Sequence, residues 1–509
     1  MKTRRVSLAL LFSFLFSFVS CTLFTDNDGS YPYDEALVRH VMDSVAKVDG
    51  GGMYADAYYK LFYQQEKCDT AKDTLYWINR YGMDERPEVL LAWISKVEEQ
   101  GLKRTSFRVD EIAEDLAAFR KLKPDSCTLQ EVCELMGRLE YRLSRAYLRY
   151  AYGQRFGYVR PSDVFNKAIN GTKAESYRRI YDIQFDQATD SFCHVAIAKL
   201  EDADALNDFL SDIQPSDSLF YQLCSEYRRA SEKGDKKRQE LAQLNVERAR
   251  WRYDRPSGKE KYVFVNIPSF ELEAVNKAKE ETLRMKICCG QTDHQTPLLG
   301  SCINRLDLNP YWVVPSSIIK NEVVPRHTGD SSYFARNRMV AIERSSGKIL
   351  SAASLSSDQW TSGRYTLRQD RGAGNSLGRL IFRFPNSFSV YLHDTNSPGA
   401  FNRTVRAVSH GCIRVHKPLD LAVFLMDDPS DLLIDKIRVA IDKEPLSEEG
   451  RQYKEQTDPE NYMKSYSFDP RVPVYIDYYT LYPDGEGTFH AYNDVYGYDK
   501  PLLKELNRF

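Results

Sequence analysis

The hydrophobic period changes once along this 509-residue chain, and that change limits the folds open to it. Over about 34–244 apolar residues recur at helical spacing. Val109, Ile112, Leu116 and Phe119 form one stripe, and Val132, Leu135, Leu139, Leu143 and Tyr147 a longer one. Arg155-Phe156-Gly157-Tyr158-Val159-Arg160-Pro161 interrupts the helical run. After Gly258 the period drops to two, with Val263, Val265 and Ile267 alternating as a strand requires. The expected architecture is therefore α+β and multidomain, with an all-α domain over 22–244 and a mostly β domain over 245–509. The stretch 226–255 between them carries Lys233, Lys236, Lys237, Arg238, Arg248, Arg250, Arg252 and Arg255, and reads as a solvated connecting helix.

Two short segments of the β half carry chemistry: Tyr391-Leu392-His393-Asp394-Thr395 and Ser409-His410-Gly411-Cys412-Ile413-Arg414-Val415. A thiol is a useful nucleophile only when its proton is removed, and a nearby imidazole is the usual agent. The pair reads first as cysteine acyl-transfer chemistry. Alternation over 388–393 predicts a half-buried strand with Tyr391 and His393 on one face. In the second segment Ile413 and Val415 share one face, Cys412 and Arg414 the other, and Gly411 permits a backbone that a side chain would forbid. The stretch 394–408 reads as a loop that brings the two strands side by side. Taken singly, Cys412 reads as an inert buried thiol and His393 as a structural histidine; the spaced set reads as catalytic. A zinc site built from His393, His410, Cys412 and His416 is the rival, but no further Cys or His pair with finger spacing follows. No metal and no cofactor are expected. His416 is expected at the surface, ahead of an apolar helix that begins at Pro418 and runs through Leu421, Phe424 and Leu425.

In residue type, order and spacing these segments resemble the L,D-transpeptidases, whose YkuD-type catalytic domain carries a histidine, a spacer and then Ser/Thr-His-Gly-Cys. Asn245-Val246-Glu247-Arg248, Val265-Asn266-Ile267-Pro268, Leu283-Arg284-Met285-Lys286, Asn309-Pro310-Tyr311-Trp312-Val313-Val314-Pro315, Leu377-Gly378-Arg379, Phe384-Pro385-Asn386 and Pro473-Val474-Tyr475-Ile476 are similar to the larger YcbB-like branch. The likeness is close from about Asn245 onward and faint before it. It implies Cys412 as nucleophile, His393 as general base and later acid, and the backbone N–H groups of Gly411 and Cys412 as an oxyanion hole. It implies Tyr391, Ser409, His410 and Arg414 as substrate-binding residues, with Arg414 on a substrate carboxylate. A capping or lid region is implied over 310–365, and a C-terminal extension over 441–509 packing on the catalytic domain. The implied reaction is thiolate attack on the third-residue carbonyl of a peptidoglycan tetrapeptide stem, loss of D-alanine, and resolution of the thioester by the side-chain amine of another stem's diamino acid. Peptidoglycan stem peptides are then the partners, and carbapenems the expected inhibitors. The same acyl-enzyme could instead be resolved by water, giving an L,D-carboxypeptidase, or by a protein lysine, attaching a lipoprotein to the wall. Outside enzymes, a wall-binding scaffold with a vestigial site remains open.

Lys2, Arg4 and Arg5 precede an apolar run over 6–19 and then Ser20-Cys21, the order of a secretory signal and too short for a comfortable membrane span. Cysteine directly after a small residue makes 1–21 read as a lipoprotein-type signal with Cys21 as the lipidation site; a plain secretory signal is the other reading. Both imply export, and the first implies a membrane anchor on the periplasmic side. With charged residues of both signs interleaved and a net charge of −2, nothing advertises nucleic acid. Cys68, Cys127, Cys133, Cys193, Cys224, Cys288, Cys289 and Cys302 are expected mostly as buried thiols, since a catalytic cysteine that must stay reduced is poorly served by exchangeable disulfides.

Overall fold

The computed structural model describes residues 29–49, 75–168, 181–183, 186, 188–254 and 256–509. Residues 1–21, including Cys21 as the expected lipidation site, and Cys68 lie outside the described residues. Both helical stripes form helices, Val109–Phe119 and Leu129–Phe156. The second opens with a capping box, in which the Thr128 hydroxyl accepts from the Glu131 N–H and the Glu131 carboxylate from the Thr128 N–H. Its apolar stripe is buried throughout, and so are Glu140, Arg145, Arg149 and Gln154, because neighbours surround the helix on all sides. A carboxylate survives there because Glu140 accepts from the Tyr76 and Trp77 N–H groups at 2.7 and 2.9 Å. The helix stops at Phe156, and Pro161 begins the next one, Pro161–Ala168.

The charged stretch before the β half differs from a solvated connector. Two helices, Ser218–Glu232 and Lys236–Arg250, pair there, and the last turns of the second are buried from Leu244 through Arg250. Charge density misleads at this point because the buried charges of the second helix are paired, while Lys233, Lys236 and Lys237 stay exposed. Glu247 and Arg250, at most 1% exposed, sit 2.5 Å apart, and the Arg248 guanidinium meets Asp499 at 2.6 Å.

Strand β1, Tyr181–Asp182, leaves the helical region and pairs in parallel with a strand of the second domain at Leu298–Leu299. That domain begins with β2 (Lys261–Asn266), β3 (Glu271–Asn276), β4 (Glu281–Gly290) and β5 (Leu298–Leu308). An insert follows, carrying β6 (Trp312–Val313), β7 (Met339–Glu343), β8 (Ile349–Ser351) and β9 (Tyr365–Gln369). The chain returns through β10 (Leu380–Arg383), β11 (Leu392–His393), β12 (Ala407–Ser409), β13 (Ile413–Val415) and β14 (Ser465–Asp477). Neighbours run β5-β10-β11-β13-β4-β3-β2-β14, and β14 pairs again with β5, so eight strands close into a barrel. Val263, Val265, Leu272, Ile287, Leu392 and Ile413 fill its interior. A mostly β domain thus follows a helical one, as the period change requires. Residues 441–509 are more than an extension, since β14 is a barrel strand.

The insert is a subdomain with its own core of Val314, Ile319, Val323, Phe334, Met339, Trp360 and Leu367. Its sheet runs β6-β9-β7-β8, so the insert extends past residue 365 through the whole of β9. Its stalk is closed by amide side chains. Fully buried Asn375 donates to the Pro310 and Asp370 carbonyls at 3.2 and 2.9 Å and accepts from the Leu377 N–H at 2.8 Å. Of the seven described cysteines besides Cys412, Cys133, Cys193, Cys224, Cys288 and Cys289 are buried, and all seven are free thiols. Among the described residues no helix is long and apolar enough to cross a membrane.

Candidate active site

The two motif strands lie side by side, β11 parallel to β13, with Leu392 opposite Ile413 and His393 opposite Arg414. Leu392 and Ile413 point into the barrel core. Because successive side chains alternate, Tyr391, His393, Cys412 and Arg414 share the outer face. The strand holding His393 is shorter than the alternation over 388–393 suggests. Ser389 takes a φ of +57°, and the Asn386 side chain accepts from the Phe388 and Val390 N–H groups at 3.0 and 3.1 Å. An asparagine turn therefore replaces most of the expected strand, leaving Leu392–His393.

His393 is buried, at 4% exposure, and its Nδ1 lies 3.3 Å from the Leu377 carbonyl. A carbonyl only accepts, so Nδ1 carries the proton and Nε2 is left as the basic nitrogen. The Leu377-Gly378-Arg379 segment is itself fixed: the Arg379 N–H donates to Asp394 Oδ2 at 2.9 Å, and the Asp394 N–H to the Leu380 carbonyl at 2.9 Å. Burial, aided by the Arg414 charge, pulls the His393 imidazole down to about 4. Cys412 is half-buried, and its thiol is pushed up to about 11 by burial, against the pull of the Tyr391 N–H and hydroxyl and of the Arg383 and Arg414 charges. At neutral pH both partners are uncharged. Tyr391 acts on the thiol electrostatically, and no Cys412–His393 hydrogen bond occurs among the described residues.

The rest of the motif is arranged unevenly. Ser409 is buried, donates to the Cys412 carbonyl at 2.5 Å and accepts from the Gly411 N–H at 3.2 Å. Its hydroxyl braces the loop instead of facing a ligand, and one of the two backbone donors assigned to an oxyanion hole is already engaged. Gly411 has a φ of +114°, which a β-carbon would resist. His410 Nε2 meets Glu322 Oε1 of the insert at 2.7 Å, so the insert reaches the segment that carries Cys412 directly. The Arg414 guanidinium makes no ion pair or hydrogen bond among the described residues, and its Nε is buried without a partner. His416 is exposed, and Pro418–Leu425 is helical. Among the described residues no group of three or more His, Cys, Asp or Glu side chains could hold a metal ion.

Three contributors escape the motif. Arg383 pairs with Asp307 and lies over the Tyr391 ring, 5.3 Å from its centroid. Its position beside β11 follows only from barrel register. Glu322 lies in a short helical turn of the cap with no local signal. The Leu377 carbonyl is a backbone group, which side-chain pattern cannot reveal.

Residues 260–487 match the profile of the L,D-transpeptidase catalytic domain known as YkuD. These residues belong to that domain family. Residues 58–226, ahead of the transpeptidase domain, match a profile described as a scaffold domain. A Haemophilus influenzae protein named "Putative L,D-transpeptidase" is 30% identical over 273 residues, covering 53% of this chain and 50% of that protein. The chain thus spans about half the length of this curated relative. An L,D-transpeptidase from Mycobacterium smegmatis aligns at 15% identity over 43% of this chain and 58% of its own, with a TM-score of 0.19, a superposition too poor to bear on the fold.

Proposed function

We propose that the chain is a peptidoglycan L,D-transpeptidase of the YcbB-like branch, with Cys412 as nucleophile. The observation that carries this reading is the β11–β13 register, which gives Tyr391, His393, Cys412 and Arg414 one face within a transpeptidase domain. A neutral thiol beside a neutral imidazole favours proton removal during attack over a standing ion pair. As Sγ bonds to the third-residue carbonyl carbon, Nε2 of His393 takes the thiol proton and the carbonyl π pair moves to oxygen. Collapse expels D-alanine, whose leaving amine takes that proton back, and a thioester remains. The diamino acid amine of a second stem then attacks, losing its proton to His393, and the thiolate leaves as the cross-link forms.

Arg414, unpartnered and partly buried, suits a stem carboxylate. The Cys412 N–H serves as oxyanion donor, with Gly411 supplying the turn, while Ser409 and His410 shape the loop and Tyr391 polarises the thiol. The cap, joined to the loop by Glu322 and His410, excludes water and favours the amine as second nucleophile. Export and a lipid anchor at Cys21 are part of the same reading, since the stem substrate lies outside the cytoplasm. Purified protein incubated with tetrapeptide muropeptides, beside Cys412→Ala, separates the outcomes by mass spectrometry. Cross-linked dimers lost in the variant support the proposal; trimmed tripeptides alone point to a carboxypeptidase; no product from either protein contradicts an enzymatic role. A carbapenem adduct on Cys412 is the expected inhibitor result.

A further inference from the structure

Behind the nucleophile lies a buried polar cluster that no step above uses. Thr296 is fully buried ahead of β5. Its Oγ1 accepts from the Gly290 N–H at 2.9 Å and donates to the Gly411 carbonyl at 2.8 Å. The Thr296 N–H donates to the Tyr496 hydroxyl at 3.1 Å, and that hydroxyl donates to the Gly290 carbonyl at 2.8 Å. The neighbouring Gln295 is fixed in turn, its Oε1 accepting from the Tyr498 hydroxyl at 2.9 Å. The approach is tight: a β-carbon on Gly290 would lie 2.0 Å from the His294 carbonyl oxygen. Tyr496 and Tyr498 come after the end of the matched transpeptidase segment.

The consequence falls on the peptide that joins Gly411 to Cys412. Its C=O and the Cys412 N–H belong to one planar trans unit and point in opposite directions. Thr296 holds the C=O on the buried side, which turns the N–H away from Thr296. That N–H has no protein acceptor among the described residues, whereas the N–H of Gly411 is taken by Ser409. Ser409 fixes the Gly411 N–H before this peptide and the Cys412 carbonyl after it, and with no β-carbon at Gly411 the Thr296 bond fixes the orientation of the peptide plane between them. We infer that Thr296 is the positioning residue of the oxyanion donor: it clamps the Gly411–Cys412 peptide so that the Cys412 N–H faces the scissile carbonyl oxygen, and Tyr496 holds Thr296 in register. This role rests on the acyl-transfer reading above. As the Sγ–C bond forms and the carbonyl π pair moves to oxygen, the charge develops in front of a donor that needs no reorientation.

The test compares T296V, T296S and Y496F in the full chain by two readouts, D-alanine release from a tetrapeptide stem and alkylation of Cys412 by iodoacetamide. Alkylation displaces iodide and develops no oxyanion, so it reports the thiol alone. T296V should lower kcat for D-alanine release by about 10- to 100-fold. Its KM should stay within about twofold, because the donor acts on the transition state. T296S, which keeps the hydroxyl, should restore most of the rate, and Y496F should fall in the same direction as T296V. Alkylation should keep its wild-type rate in all three. Release at the wild-type rate in T296V, or alkylation and release falling together, would overturn the role while leaving the wild-type activity to stand. Wild-type protein that is alkylated yet releases no D-alanine from any stem would overturn the functional reading and this role with it. Should T296V fail to fold, Y496F decides by the same two readouts.

Discussion

At the scale of single residues the site is governed by desolvation. A thiol held up near 11 is protonated at neutrality, so iodoacetamide alkylation of Cys412 should climb about tenfold per pH unit from about pH 7 to about pH 10. A plateau reached near neutrality would instead reveal a standing thiolate–imidazolium pair. His393 carries the complementary signature. Its folded value, about 4, lies below the ordinary 6.5, so the unfolded chain binds the proton more readily between those values. The stability owed to neutral His393 is complete above about pH 6.5 and is lost as pH falls through about 4, a change of about 3 kcal/mol. Urea titrations across that range should show this slope in the wild type and a shallower one in His393→Gln; equal slopes would contradict it. The face that His393 and Cys412 share is legible because strand alternation acts locally. The Leu377 carbonyl, the Tyr391 contact and the engaged Gly411 N–H are not, because they depend on where the backbone turns.

At the scale of elements the cap depends on its stalk more than on its contact with the motif. The Glu322–His410 pair is partly exposed on both sides, and such pairs contribute about 0–1 kcal/mol. Asn375, fully buried, satisfies two carbonyls and one N–H. Asn375→Ala should therefore weaken the stalk by about 1–3 kcal/mol. Hydrogen exchange should speed up across Trp312–Val313 and Tyr365–Gln369 while Lys261–Asn266 keeps its protection. Uniform exchange across all three would place the stalk's contribution elsewhere. The helices of the first half follow from period alone, although Leu129–Phe156 is buried on every side and not only along its stripe. The strand is shorter than 388–393 because the Asn386 turn leaves the alternation intact while breaking the strand.

At the scale of the molecule, helical region and barrel share one buried seam. The Arg248–Asp499 and Glu247–Arg250 pairs, the β1–β5 pairing, and the contacts of Phe165 with Tyr181, Trp251 and Tyr498 all lie along it. Glu247 also accepts from the Val159 N–H at 2.8 Å. Glu247→Ala would leave Arg250 buried and unpaired, at a cost of about 3–5 kcal/mol. A lowered denaturation midpoint with helical and barrel signals falling together would support the seam, and an unchanged midpoint would contradict it. Order of domains and the β character of the second were readable from the period change. The seam was hidden because paired buried charges have the same composition as a solvated helix. The most direct test of the account is intact-mass measurement of the protein mixed with a tetrapeptide stem. It should gain the mass of the stem lacking D-alanine, on Cys412 alone and not in Cys412→Ala, with free D-alanine released in at least equal amount; no adduct and no D-alanine, or an adduct that persists in Cys412→Ala, would contradict it.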